Sequence, residues 1–132
     1  MIYIIDSAVI LNDELFYFDE AKKYVTTYRV SLEIKDFRSK SLLNNAIKNS
    51  ILQIMEPSEE SIKGIENLAK KYGTKLSEAD VSLVSLAADL KEKKEKITVI
   101  TDDYSVQNLL LKLQISFQSV IRGEIKKFKN FK

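Results

Sequence analysis

Ile2-Tyr3-Ile4-Ile5-Asp6 is an almost wholly apolar run closed by a carboxylate, and the pattern returns at Ile97-Thr98-Val99-Ile100-Thr101-Asp102. Short apolar, partly β-branched runs of this kind are expected of strands covered on both faces of a sheet. Tyr24-Val25-Thr26-Thr27 and Ile51-Leu52-Gln53-Ile54-Met55 supply two more, the second ended by Glu56-Pro57. Ser116 to Ile121 reads as a further strand, with room for a last one through Phe128. Helical spacing fills the intervals. The β/α alternation predicts an α/β fold of three layers, α/β/α, with a mostly parallel central sheet.

Several helix starts can be read from polar residues. Ser58 is a candidate N-cap, with Ser61 as the alternative, for a helix with the apolar stripe Ile62, Ile65, Leu68 and Ala69 that stops at Tyr72-Gly73. Ser77 begins the most hydrophobic helix, running to about Lys91, and residues 104–113 form another. A short helix is expected after Asp6, and another near Asp19 to Lys23. Thr27 or Ser31 opens a helix with Val30, Ile34 and Phe37 on one side, and Ser39 or Ser41 opens the next, through Asn49. Lys91-Glu92-Lys93-Lys94-Glu95-Lys96 reads as a solvated helix end and loop.

At 132 residues the chain is expected to form one domain, 1–132, with a real core. It contains no Cys and no His, which excludes disulfides, the usual structural zinc sites, and mechanisms that need a His base or Cys nucleophile. No apolar stretch has membrane-spanning length and no signal-peptide pattern is present, so a cytoplasmic location and no membrane partner are expected. Net charge is +2, but Arg122, Lys126, Lys127, Lys129 and Lys132 face one acid, Glu124, so the tail carries +4. A basic end interleaved with Phe128 and Phe131 suits phosphates and stacked bases, although a solubilising strand with its Phe residues packed inward would look the same. Lys35 and Arg38 are weaker candidates for phosphate contact.

With His and Cys excluded, the acids stand out: Asp6, Glu33, Asp80 and the pair Asp102-Asp103. Taken singly, each has an ordinary reading. Asp6 can cap a helix; Ser77-Glu78-Ala79-Asp80 fits a capping box; Glu33 sits beside Lys35 and Asp36 where solvent salt bridges are common; Asp102-Asp103 can cap the helix near Tyr104. Taken together, three of these positions, Asp6, Asp80 and Asp102-Asp103, fall where a strand ends or a helix begins, and the crevice at parallel strand ends is where α/β sheets place ligands. Clustered carboxylates repel each other unless a cation neutralises them. Mg2+ or Mn2+, two ions roughly 4 Å apart, would do so, one activating a water for in-line attack on phosphorus and the other stabilising the departing oxygen. With three glycines the chain has no phosphate-cradling loop, and its Ser residues lack a His partner.

In this light the sequence resembles the PIN-domain nucleases. The resemblance rests on Ile4-Ile5-Asp6-Ser7-Ala8-Val9-Ile10, on Glu33 in Leu32-Glu33-Ile34-Lys35-Asp36, on Leu76-Ser77-Glu78-Ala79-Asp80-Val81 and on Thr101-Asp102-Asp103-Tyr104, in the family's order. It implies metal-dependent cleavage of single-stranded RNA, with Asp6, Glu33 and Asp80 as the first three acids. The family's Thr-x-Asp spacing selects Asp103 as the fourth, with Asp102 adjacent and able to share or take the role. The Glu-Ile-Lys-Asp run followed by Arg38-Ser39, the Leu-Ser-x-Ala-Asp run, Thr-Asp-Asp-Tyr-Ser-Val-Gln-Asn and Gly123-Glu124-Ile125-Lys126-Lys127-Phe128 are most similar to the Nob family. Those endonucleases trim the 3′ end of small-subunit rRNA precursor, which implies that RNA, within a small-subunit particle, as partner. Two features depart from the family. Its members usually continue into a cysteine-rich zinc ribbon, absent from this sequence whether by trimming or because the chain is naturally short. Ala8 also replaces a common polar residue, so a hydrogen bond near the metal is expected to be missing. Two other readings share the chemistry or the fold: a VapC-like toxin held by an antitoxin partner, and a non-catalytic RNA- or protein-binding PIN module.

Overall fold

In the computed structural model, residues 1–12, 16–121 and 124–129 are described, the last six and Ile121 as backbone only. The elements are β1 (Ile2–Ile5), α1 (Ser7–Asn12), β2 (Lys23–Thr26), α2 (Tyr28–Ser31), α3 (Phe37–Lys48), β3 (Leu52–Ile54), α4 (Glu59–Lys71), α5 (Glu78–Glu92), β4 (Ile97–Ile100), α6 (Tyr104–Lys112), β5 (Phe117–Ile121) and β6 (Glu124–Lys129). The strands form one sheet in the order β3-β2-β1-β4-β5-β6. The first five are parallel, and β6 returns antiparallel to β5. The chain winds outward from β1 through β2 to β3, then crosses back to β4 on the other flank of β1. That reversal puts a topological switch point between β1 and β4, the place where such sheets open a crevice beyond their carboxyl ends.

Alternation along the strands explains the layers. Ile4, Val25, Val99 and Phe117 face a core built with α5, α6, Val30 of α2 and Ile65 of α4. Ile5, Tyr24, Ile100 and Val120 face the opposite core, with Val9 and Ile10 of α1 and Leu43 and Ala46 of α3. Neighbouring residues therefore serve opposite layers, which is why the central strands β1 and β4 are almost wholly apolar on both faces. Helix α5 buries residues all round, Leu83, Val84, Leu86 and Ala87 among them, because it packs on α2, α4 and α6 as well as on the sheet side. Thr27 ties α2 to α5: its Oγ1 accepts from Val30 N and lies 2.7 Å from Ser82 Oγ.

Two expectations require correction. Asp19 to Lys22 is a turn leading directly into β2 at Lys23, rather than a helix. The Asp19 carboxylate accepts from Ala21 N at 2.9 Å and its carbonyl accepts from Lys22 N at 3.0 Å, a local arrangement that competes with helix formation. The Val30, Ile34, Phe37 stripe is also not one helix. Helix α2 ends at Ser31, and Asp36, rather than Ser39 or Ser41, caps α3 by accepting from Ser39 N at 2.9 Å. Phe37, the first residue of α3, is 87% exposed while Ile34 is buried.

Ser58 caps α4 as expected. Both Ser58 N (2.7 Å) and Ser58 Oγ (3.0 Å) donate to Asp89 of α5, as does Ser61 Oγ. Partial burial raises the Asp89 pKa, but these donors outweigh it and hold the group below its ordinary value. Asp89→Ala is expected to destabilise the fold by about 1–2 kcal/mol. Because the folded pKa is depressed, that contribution is present above the unfolded value and is lost as pH falls through the folded one. A melting series from pH 7 to pH 2.5 in which wild type and variant stay parallel would refute this.

Candidate active site

The carboxyl edge of the sheet gathers four acids. Asp6 follows β1, Asp103 precedes α6 just beyond β4, Asp80 lies in the first turn of α5, and Glu33 follows α2. Asp6 is buried, Asp80 and Asp103 are half-buried, and Glu33 is exposed. Across the switch point Thr101 Oγ1 donates to Asp6 Oδ2 at 2.8 Å, while Thr101 Oγ1 itself accepts from Asp103 N at 3.2 Å. The carbonyl of Thr101 is held by Gln107 Nε2 at 2.8 Å in the buried layer below. On the other flank Ser7 Oγ donates to Glu33 Oε1 at 2.6 Å and lies 3.5 Å from Asp6 Oδ1. One Thr and one Ser thus link three of the acids to each other or to the same strand end.

Capping and clustering turn out to be compatible, because a carboxylate has two oxygens. Asp80 completes the capping box of α5 with Ser77: its Oδ2 accepts from Ser77 N at 3.2 Å and its N donates to Ser77 Oγ at 3.1 Å. Asp103 caps α6 through Oδ1, which accepts from Ser105 N and Val106 N. Glu33 uses Oε1 for Ser7. Among the described residues, Asp80 Oδ1, Asp103 Oδ2 and Glu33 Oε2 take no hydrogen bond. Asp80, Asp103 and Glu33 are thus each fixed by one oxygen and, among the described residues, keep the other, whereas Asp6 has Thr101 on one oxygen and Ser7 beside the other.

The charges act on one another. Burial, with the Asp80 and Asp103 carboxylates nearby, pushes the Asp6 pKa up from 3.8 to about 6 against the hydrogen bond from Thr101. Burial also raises Asp80, helped by Asp103 and Glu33 and opposed by the Ser77 hydrogen bonds. This is the electrostatic condition of a site short of positive charge. The donors are all oxygen, the chemistry of a hard divalent cation rather than of zinc or copper. In spacing they form a loose set: among the described residues no three acids already surround a single point as one ligand group would. By chemistry and charge, Asp6, Asp80 and Asp103 are the residues that could hold a divalent cation.

The remaining sequence candidates fall elsewhere. Asp102 is exposed, and its Oδ1 accepts from Val120 N at 2.9 Å, extending the β4–β5 pairing beyond the strand end. Arg38 Nη2 donates to the Ile10 carbonyl at 2.9 Å, bracing α1 against α3. Lys35 is exposed. The backbone of Lys126, Lys127 and Lys129 lies on β6, an edge strand, but their side chains, like all of Arg122, lie outside the described residues. Thr101, Gln107 and Ser7 were not singled out as site residues from the sequence. Gln107 had a usable signal, a polar residue within the apolar stripe Val106, Leu109 and Leu110 of α6.

Residues 3–90 match the family described as the PIN domain of ribonuclease. The chain is 37% identical over 93% of its length to endoribonuclease Nob1 of Methanothermobacter thermautotrophicus, covering 71% of that protein. It is 32% identical over 69% of its length to ribonuclease VapC3 of Aeropyrum pernix, covering 67% of it. Across the Nob1 relatives it matches, the chain spans between 55% and 72% of their length. A solved structure of the PIN domain endonuclease Utp24 superposes with a TM-score of 0.62 over 99% of this chain and 95% of that one, at 16% identity, a likeness of fold. With the acids at the switch point and these relatives, the chain belongs to the PIN-domain ribonuclease family, among the Nob1-type endoribonucleases.

Proposed function

We propose that this chain is a divalent-metal-dependent endoribonuclease that cuts single-stranded RNA at the Asp6, Glu33, Asp80, Asp103 cluster, and that its substrate is the 3′ region of small-subunit rRNA precursor. The observation that carries the reading is the convergence of these acids at the carboxyl edge of the sheet, where burial, with the Asp80 and Asp103 charges beside it, raises the Asp6 pKa to about 6. Bound Mg2+ or Mn2+, two ions in this reading, would supply an activated water and neutralise charge on the phosphate. The protein's part is positioning. Thr101 and Gln107 fix Asp6 at the end of β1, Ser7 fixes the Glu33 carboxylate, and the caps of α5 and α6 lock Asp80 and Asp103. Reacting groups set in place before the substrate arrives need no reorganisation as charge develops.

The test is manganese-dependent cleavage of a short RNA spanning the end of small-subunit rRNA, beside an unrelated single strand and the Asp6→Asn control. Site-selective cutting lost in the control supports the rRNA reading. Cutting of both strands, again lost in the control, establishes a nuclease and leaves open the toxin-type reading, for which the likeness to VapC3 is the motive and which a co-purifying small antitoxin would support. No cutting by the wild-type chain would overturn autonomous catalysis.

The β6 lysines offer a second check. Neutralising Lys126, Lys127 and Lys129 together is expected to weaken RNA binding and to reduce the log–log salt slope by about 2, at roughly 0.7 per single-strand phosphate contact. An unchanged slope would return β6 to a purely structural edge strand.

A further inference from the structure

Beside the acid cluster lies a recess of about 210 Å3 that the chemistry above does not use. Its apolar wall is Ile62 of α4, Leu76 and Val81, and its polar rim is Arg29, Glu66 and Glu78, with Ser82 also lining it. The recess is continuous in sequence and fold with the acids. Glu78, Val81 and Ser82 bracket Asp80 on α5, and Arg29 stands on α2, the helix that leads into Glu33. Its volume is below the ~300 Å3 at which pockets for drug-sized ligands begin. That is room for one flat heterocycle.

We propose that this recess is a subsite for a single unpaired nucleobase of the substrate strand, next to the phosphate held at the acids. The proposal rests on the ribonuclease reading and extends it to the base. The wall of Ile62, Leu76 and Val81 receives an apolar ring face. The rim offers what a base edge needs, a guanidinium donor toward ring or carbonyl acceptors and carboxylate acceptors toward amino or imino hydrogens. Arg29 Nη1 now pairs with Glu78 Oε2, but both side chains are more than half exposed (55% and 79%). A pair so open to water contributes little to stability and is readily exchanged for a base edge. Neither Ser82 nor Thr27 needs to move, since their mutual hydrogen bond lies in the layer that joins α2 to α5. A base in a duplex cannot enter, so the subsite would also select for single strands.

The test uses short single-stranded RNAs carrying one abasic nucleotide, placed in turn at each position around the cut. Affinity is read by fluorescence anisotropy with the full chain bearing Asp6→Asn, and cleavage is read with the wild-type site and Mn2+. The expected result is one position, fixed relative to the cut, at which loss of the base weakens binding about tenfold. Leu76→Trp, which fills the recess, and Arg29→Ala, which removes a rim donor without touching the core, should each lower affinity for intact RNA. Both should erase the sensitivity at that position, while the Mn2+-induced rise in melting temperature at the wild-type acid cluster stays unchanged. Equal binding of every abasic RNA, or sensitivity that survives in both variants, overturns the proposal. Base-dependent binding without cleavage would uphold the subsite and count against the catalytic reading; no binding of any RNA would overturn both.

Discussion

Asp6→Asn is expected to abolish RNA cleavage, by about a thousandfold or more, while raising the melting temperature of the metal-free protein at pH 7.5. The two effects have one cause. Burial and the Asp80 and Asp103 charges make ionised Asp6 unfavourable in the folded chain, lifting its pKa from 3.8 to about 6. By linkage the native state binds that proton more tightly than the unfolded state does. The stabilisation this represents is complete below pH 3.8 and is lost as pH rises through 6, so at neutral pH the carboxylate is a liability. The difference corresponds to roughly 3 kcal/mol at 1.36 kcal/mol per pKa unit. Asparagine removes the charge but gives up one of the two oxygens that receive Thr101 and Ser7, so the net gain should be smaller, about 1–2 kcal/mol. Divalent cation should reverse the order: Mn2+ raises the melting temperature of wild type far more than that of the variant. Calorimetry at pH 5 and 7.5, with and without Mn2+, checks each part. A variant less stable than wild type in every condition would mean that Asp6 is a structural residue.

The centre of the sheet was legible in the sequence because β1 and β4 are covered on both faces and so contain almost nothing but apolar residues. Ile2–Ile5 and Ile97–Ile100 could hardly be read otherwise. Connections were harder. Val30, Ile34 and Phe37 have helical spacing, and spacing alone does not reveal that the Asp36 carboxylate starts a new helix between them, turning Phe37 outward. Asp19 is the same case on a smaller scale, a short polar side chain bonding its own backbone where periodicity was too weak to object. At the candidate site Asp6, Asp80 and Asp103 were legible from their places at strand ends and helix starts, but their fixing groups were not. Thr101 is indistinguishable by type from the β-branched strand residues around it, and only its bond to Asp6 separates its role from theirs. The capping reading of Asp80 and Asp103 is correct as local structure, yet among the described residues nothing bonds the second oxygen of either carboxylate. Sequence patterns pose cap and ligand as alternatives, but one carboxylate has oxygens enough for a cap and for a cation.

The adjacent acids Asp102 and Asp103 provide the sharpest separation of roles. Asp103→Asn is expected to reduce cleavage about a hundred- to a thousandfold, and Asp102→Asn to leave it within about twofold of wild type. Asp103 contributes charge to both Asp6 and Asp80, whereas Asp102 is turned toward β5, where its Oδ1 receives Val120 N. Both substitutions should leave the fold intact, for different reasons. Asparagine is as good an N-cap as aspartate, so Oδ1 of residue 103 can go on accepting from Ser105 N and Val106 N. At residue 102 the amide oxygen replaces the carboxylate oxygen as acceptor for Val120 N. Asp102→Ala, by contrast, leaves that N–H without its partner next to a buried side chain and should cost about 1 kcal/mol of stability with catalysis retained. Matched melting curves and single-turnover cleavage rates in Mn2+ separate the cases. If Asp102→Asn loses as much activity as Asp103→Asn at equal stability, the two acids share the site, and the outward bond of Asp102 must give way when the cation binds. If only Asp103→Asn is inactive, the fourth acid is the one that caps α6, and the charge that crowds Asp6 is the charge the cation is there to meet.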